Sequence, residues 1–142
     1  MSAVVIGVDP AKRSNAIEVV DERERTLAAA VLAHNNDGYR QVRDIACRFP
    51  QRLWAVEGAG GVGRQLAQRL VADGETVVDV LAKLSTRVRA MSTGHGRKTD
   101  PTDARAVAIV GLRNPSLTPV SSARRSGGRS SWHGHRTLLT SR

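Results

Sequence analysis

Three apolar runs open the chain, at 3–9, 15–20 and 26–33, and the gaps between them are too short to hold a helix. Parallel neighbours need a crossover of about a dozen residues or more. The second gap is Asp21-Glu22-Arg23-Glu24-Arg25, a polar turn. The first three strands therefore form an antiparallel meander, and any parallel pairing must come from segments after residue 33.

Beyond the third run, helix and strand patterns alternate. Asn35, Asn36 and Asp37 offer helix caps. After them Tyr39, Val42, Ile45, Ala46 and Phe49 recur at helical spacing, which predicts a helix over 38–48 stopped by Pro50. A short apolar run over 53–56 ends at Glu57. Val62, Leu66, Ala67 and Leu70 mark a second helix, with Gly74 as its C-terminal cap. Residues 76–80 form a fifth strand. Leu84, Val88 and Met91 mark a third helix, with Lys83, Arg87 and Arg89 on its other faces. Pro101 suits the first position of a final helix starting at Asp100, whose apolar positions are Ala104, Val107, Ala108 and Leu112. The predicted order is βββαβαβα plus one more helix: an α/β domain with a mixed sheet of about five strands flanked by helices.

The chain has 142 residues, enough for one domain, here 1–120. The apolar pattern fails from about 114. Residues 121–142 are rich in Ser, Arg, Gly and His and hold no acid, so they are expected to be a disordered basic tail. No run of 18 apolar residues exists and no signal-peptide plan opens the chain, so a cytoplasmic protein without a membrane partner is expected. The single cysteine, Cys47, excludes an internal disulfide and a cysteine-rich zinc site; its helical setting suggests a small core residue.

The net charge of +9 is unevenly spread. Residues 1–82 carry ten Lys/Arg against eleven Asp/Glu, whereas 83–142 carry twelve against two. Those two acids are Asp100 and Asp103. A basic half of this kind suits nucleic acid, because cationic side chains gain affinity by releasing phosphate counterions.

Asp9 and Glu57 each end an apolar strand, and Asp100 and Asp103 sit three apart at a helix start. Each has an ordinary reading alone: a turn for Asp9, a solvated strand end for Glu57, an N-cap and a dipole-favoured first-turn acid for the pair. Together they suggest more. In a sheet of this order the first and fourth strands are neighbours with their carboxyl ends at one edge, and the last helix can lay its first turn across that edge. Four acids converging there would repel each other unless cations sat among them. Two Mg²⁺ (or Mn²⁺) ions about 4 Å apart would relieve the repulsion and could clamp the attacking and leaving oxygens of a phosphodiester.

A competing motif occupies the same region. Gly58-Ala59-Gly60-Gly61-Val62-Gly63 fits G-x-G-x-x-G, follows a strand, and is followed by Asp79 about twenty residues on, as in a dinucleotide-binding module using Gly58, Gly60 and Gly63. It falls after a meander rather than at the start of βαβ units, and glycines also serve tight turns and close helix–sheet packing. His95 sits between glycines in a basic loop, where a solvated side chain is the simpler reading than a metal ligand or proton shuttle. Trp132, His133 and His135 lie in the tail.

Gly7-Val8-Asp9-Pro10-Ala11-Lys12, Trp54-Ala55-Val56-Glu57-Gly58-Ala59-Gly60-Gly61 and Arg97-Lys98-Thr99-Asp100-Pro101-Thr102-Asp103-Ala104 together resemble the DEDD-type insertion-sequence transposases, a family that includes the Piv-like DNA invertases. The resemblance spans residues 4 to about 120. It implies a RuvC-like, ribonuclease-H-type fold in which Asp9, Glu57, Asp100 and Asp103 are a catalytic, metal-binding tetrad. It also implies Mg²⁺ or Mn²⁺, DNA cleavage and joining, homo-oligomeric assembly and, in some members, a structured guide RNA. Lys12, Arg87, Arg97 and Lys98 become candidate nucleic-acid contacts. Family members continue into a coiled coil and a domain supplying a nucleophilic serine, which this sequence does not match. The expectation is therefore a truncated or frameshifted copy with an out-of-frame tail, unable to transpose alone. A structure-specific nuclease of the Holliday-junction type is the alternative within the same fold, and a non-catalytic nucleic-acid-binding fragment a third.

Overall fold

A computed structural model describes residues 3–92 and 103–122. Its elements run β1 (Val4–Pro10), β2 (Ser14–Val20), β3 (Thr26–Ala33), α1 (Asn36–Ala46), β4 (Arg52–Glu57), α2 (Arg64–Ala72), β5 (Val77–Val80), α3 (Ala82–Ser92) and α4 (Asp103–Arg113). The sheet order is β3-β2-β1-β4-β5. The meander is present: β1 pairs antiparallel with β2, and β2 with β3. Beyond it β1 pairs parallel with β4, and β4 parallel with β5.

Strand alternation divides the core between two faces. Val4, Ile6, Val8, Ile17, Val19, Trp54 and Val56 pack beneath α1 and α2. Val5, Val20, Ala55, Val78 and Val80 pack with Val107, Ala108 and Val110 of α4 and with Leu84 and Val88 of α3. Trp54, fully buried, satisfies its indole N–H on the Glu75 carboxylate at 2.7 Å.

Local chemistry sets the helix ends. The Asn35 side chain accepts from Gly38 N at 2.8 Å, so α1 starts two residues before the predicted 38. Cys47 is the C-cap and is exposed, which corrects the expectation of a core cysteine: its backbone is still helical, and its position lines up with exposed Arg40 and Asp44 rather than with buried Tyr39, Val42 and Ala46. Gly74 has φ +90°, with Gly74 N bonding Val71 O and Glu75 N bonding Leu70 O. This paired pattern ends α2 as predicted. Val62 is not in α2; it is exposed in the turn before it. Met91 is exposed too, so the packed stripe of α3 stops at Val88.

The last described helix departs most from expectation. Ala104, Val107 and Ala108 are buried as predicted and Leu112 is partly buried, but Ala106, Ile109 and Val110 are buried as well. A helix apolar on most sides is a core helix rather than an amphipathic surface one. The predicted start at Asp100 and the basic loop before it lie outside the described residues. After α4 the chain keeps some order: Asp79 N bonds Thr118 O and Val120 N bonds Val77 O along the free edge of β5. The predicted tail lies outside the described residues from 123 onward. Among the described residues, no helix is long and apolar enough to cross a membrane.

A seam of small residues positions α4. A Cβ on Gly7 would stand 2.5 Å from Ala108 N and would also strike Ala104 O. A Cβ on Gly111 would stand 2.8 Å from Ala55 Cβ and 3.1 Å from Val5 Cγ1. The helix therefore runs antiparallel to β1 with its first turn over the carboxyl end of that strand. Arg113 ties its far end to both Glu24 carboxylate oxygens, at 2.6 and 2.8 Å, and Arg105 donates to Glu24 O. Gly7→Ala is expected to lower unfolding free energy by about 3 kcal/mol, since backbone, not a flexible side chain, blocks the new methyl. Denaturant unfolding measures it; parental stability would refute the close approach.

Candidate active site at the carboxyl end of the central strands

Asp9 lies one residue beyond the last β1–β4 register pair, Val8 with Val56, and Glu57 lies one residue beyond the same pair on β4. Both side chains emerge on the face that carries α3 and α4, because they alternate in step with Gly7 and Ala55. Asp103, the first residue of α4, is brought over the same edge by the Gly7 seam. Asp100, Arg97, Lys98 and His95 lie outside the described residues. Three members of the predicted tetrad are thus gathered from β1, β4 and α4, elements far apart in sequence.

Their electrostatics reflect the gathering. The Asp9 carboxyl is pushed up from 3.8 to about 6. Burial is the main cause; the negative charges of Asp103 and Glu57 and a hydrogen bond with Asp103 add to it, and Arg89 opposes it. Glu57 accepts from Ser85 Oγ at 2.9 Å, while Gly58 N bonds Val80 O and fixes the strand end beneath. Asp103 is paired with Arg89, Nε to Oδ1 at 3.1 Å. Two of the three acids are therefore engaged by α3. Among the described residues, no group of three or more His, Cys, Asp or Glu side chains stands ready to hold a metal ion as arranged. The donor chemistry nevertheless suits a hard cation: all oxygen, negatively charged, and close enough that Asp103 and Glu57 add to the effect of burial on the Asp9 carboxyl.

Ser85 and Arg89 are the site residues that sequence reasoning missed. Their four-residue spacing on α3 was visible, but nothing in the sequence showed which acids they would meet. The predicted nucleic-acid contacts Lys12 and Arg87 are exposed, in the turn after β1 and on α3. Asp79 and the glycine-rich segment have structural work instead. Asp79 Oδ1 accepts from Ala59 N at 2.9 Å, Gly58 has φ +65°, and a Cβ on Gly63 would meet Val56 Cγ1 at 2.7 Å. With a meander at the front of the sheet, these features form a turn and a helix–sheet contact rather than the start of a dinucleotide-binding unit. A separate cleft of about 240 Å³ opens on the α1/α2 face, lined by residues including Asn15, His34, Tyr39 and Arg69. Among the described residues no carboxylate lines it, and it is not part of the acid site.

A protonated Asp9 avoids burying a charge and relieves repulsion from Asp103 and Glu57, so its stabilising effect is full below about pH 4 and lost as pH rises through about 6. Solvent screening limits the effect to the order of 1 kcal/mol. Asp9→Asn should flatten this slope and be the more stable form at pH 7. Thermal unfolding from pH 4 to 8 checks it; parallel curves for the two proteins would contradict a buried and crowded Asp9 carboxyl.

Residues 6–126 match the model of a transposase family, DEDD_Tnp_IS110. No curated protein matches the chain in sequence. Among solved structures the fold is similar to that of Thermus thermophilus RuvC in complex with a Holliday junction substrate, at 23% identity and TM-score 0.62, covering 83% of this chain and 99% of that one. A further Thermus thermophilus RuvC structure matches at 22% identity and TM-score 0.59, covering 82% and 99%. At these identities the likeness is one of fold, and it bears out the RuvC-like, ribonuclease-H-type mixed sheet expected from the sequence.

Proposed function

Since the chain belongs to the DEDD_Tnp_IS110 transposase family, we propose that it carries the metal-dependent part of a DNA strand cleavage and joining site. The observation that carries this reading is the convergence of Asp9, Glu57 and Asp103 at one sheet edge, with Asp9 raised to about 6 by burial and by its two acidic neighbours. Asp100, three residues before Asp103, completes the proposed set of catalytic and metal-binding acids. These side chains would hold Mg²⁺ or Mn²⁺, two ions in the full reading. Bound there, a divalent ion would polarise a phosphodiester and offset charge developing on its oxygens.

The chain's own residues do the rest. The carboxylates place negative charge where cations are needed, and the β1–β4 pairing holds two of them at adjacent strand ends. The basic half of the sequence, together with Lys12 from the turn after β1, would meet the DNA backbone through residues that include Arg87, Arg97 and Lys98. The family resemblance places a nucleophilic serine in another domain, so the acids are proposed as one part of a composite active site. Homo-oligomeric assembly, a guide RNA and kinship with the Piv-like invertases are finer proposals that rest on that resemblance alone.

A second reading is a structure-specific nuclease that cuts branched DNA using the acids alone. It is favoured by the fold shared with a RuvC whose structure holds a Holliday junction substrate. Incubating the purified chain with branched and linear DNA in Mg²⁺ or Mn²⁺ separates the two. Nicking of branched DNA by the chain alone favours the nuclease; cleavage or joining at insertion-sequence ends only when a serine-bearing domain is supplied favours the transposase. In either case Asp9→Asn and Glu57→Gln should each reduce cleavage by about a hundredfold or more, the rate equivalent of roughly 3 kcal/mol of lost charge stabilisation. Full cleavage by both variants would remove the acids from the chemistry.

A further inference from the structure

Helix α3 touches two of the site acids with residues four apart. Ser85 is fully buried, and its hydroxyl lies 2.9 Å from Glu57 Oε1 and 3.1 Å from Ala82 O. Arg89, one turn on, reaches Asp103 Oδ1 at 3.1 Å. Residues at this spacing share a helix face, so one rigid element holds acids delivered by β4 and by α4. The two contacts differ in kind. The first is a part-buried hydrogen bond from a buried hydroxyl that orients the Glu57 carboxylate. The second joins side chains that are 31% and 51% exposed, in a geometry that water and ions can reach.

We infer that Arg89 is a resident counter-cation of the acid cluster, displaced from Asp103 when a divalent ion binds, and that Ser85 is a positioning residue holding Glu57 ready for that exchange. The inference rests on the metal-binding reading of the acids given above. Guanidinium stays protonated at any physiological pH, so it cannot leave by losing its proton; it must swing away. The exposed setting allows that, because a half-solvated ion pair is weak and is screened by salt. Thr86 Oγ1, 3.3 Å from Arg89 Nη2, already holds the guanidinium from a second side and would remain a partner after the swing. A divalent ion brings two charges to a cluster that Arg89 supplies with one. In its absence the arginine lowers the repulsion among Asp9, Glu57 and Asp103 and lets the fold form with the acids together.

The test is Mn²⁺ binding to the purified chain by titration calorimetry, with metal-free circular dichroism as the folding control. Arg89→Gln removes the competing charge and should tighten Mn²⁺ binding by roughly threefold to fivefold, the worth of such an ion pair. Arg89→Lys should stay near the parent, and Ser85→Ala should weaken binding by a similar factor. Unchanged or weaker binding in Arg89→Gln, with parental binding lost in Asp9→Asn, overturns the role of Arg89 and leaves the metal reading standing. Parental Mn²⁺ binding that survives Asp9→Asn, or no parental binding at all, overturns the metal reading and this inference with it. A second measurement needs no variant at Arg89. Adding Mg²⁺ to the parent should shift the Arg89 Nε–H resonance, and a resonance that does not move contradicts displacement.

Discussion

Everything at the site depends on a backbone-to-backbone contact between β1 and α4. With no Cβ at Gly7, the helix can set Ala104 O and Ala108 N directly against the strand. Gly111 lets the helix close on side-chain atoms of Ala55 on β4 and Val5 on β1. Two glycines and three alanines bring a helix closer than ordinary side chains allow, and that closeness is what carries Asp103 over the end of β1. The bidentate Glu24–Arg113 pair holds the other end of the helix. Being largely exposed, it contributes direction more than energy.

The same sheet edge concentrates charge that the fold would otherwise disperse. Parallel pairing of β1 with β4 places Asp9 and Glu57 on adjacent strand ends, and α4 adds a third acid. Burial first, and then the charges of Asp103 and Glu57, raise the Asp9 carboxyl. Helix α3 moderates it from the side, through one buried hydroxyl and one guanidinium. The opposite edge shows how the fold treats an acid with a purely structural role. There Glu75 is held by Arg52 through two hydrogen bonds and by the Trp54 indole. Its negative charge is matched on the spot, whereas at the proposed site three acids share one arginine among the described residues.

Much of this was legible in the sequence because its signals are local. Alternation and turn residues disclosed the meander, Asn35 and Gly74 marked helix ends, and the short gap over 21–25 ruled out a crossover. The errors are local too. Val62 and Met91 carry apolar side chains that fit a helical stripe, yet Val62 lies in the turn before α2 and Met91 on the exposed end of α3. Cys47 follows a buried alanine but lies on the side of the helix that carries exposed Arg40 and Asp44. The G-x-G-x-x-G segment matched a pattern whose meaning depends on which strand precedes it, and the pairing of Asp79 with Ala59 N gave its carboxylate a different use.

By itself the sequence determined the element order, the strand ends that carry Asp9 and Glu57, and the imbalance of charge that points to a polyanion. Those come from short-range periodicity and composition. Only the tertiary structure decided that α4 is buried on most sides, that Gly7 is the point over which it crosses, and that Ser85 and Arg89 are the residues facing the acids. Each of these depends on contacts between segments distant in sequence, and no spacing within a single segment encodes which partner a side chain will meet.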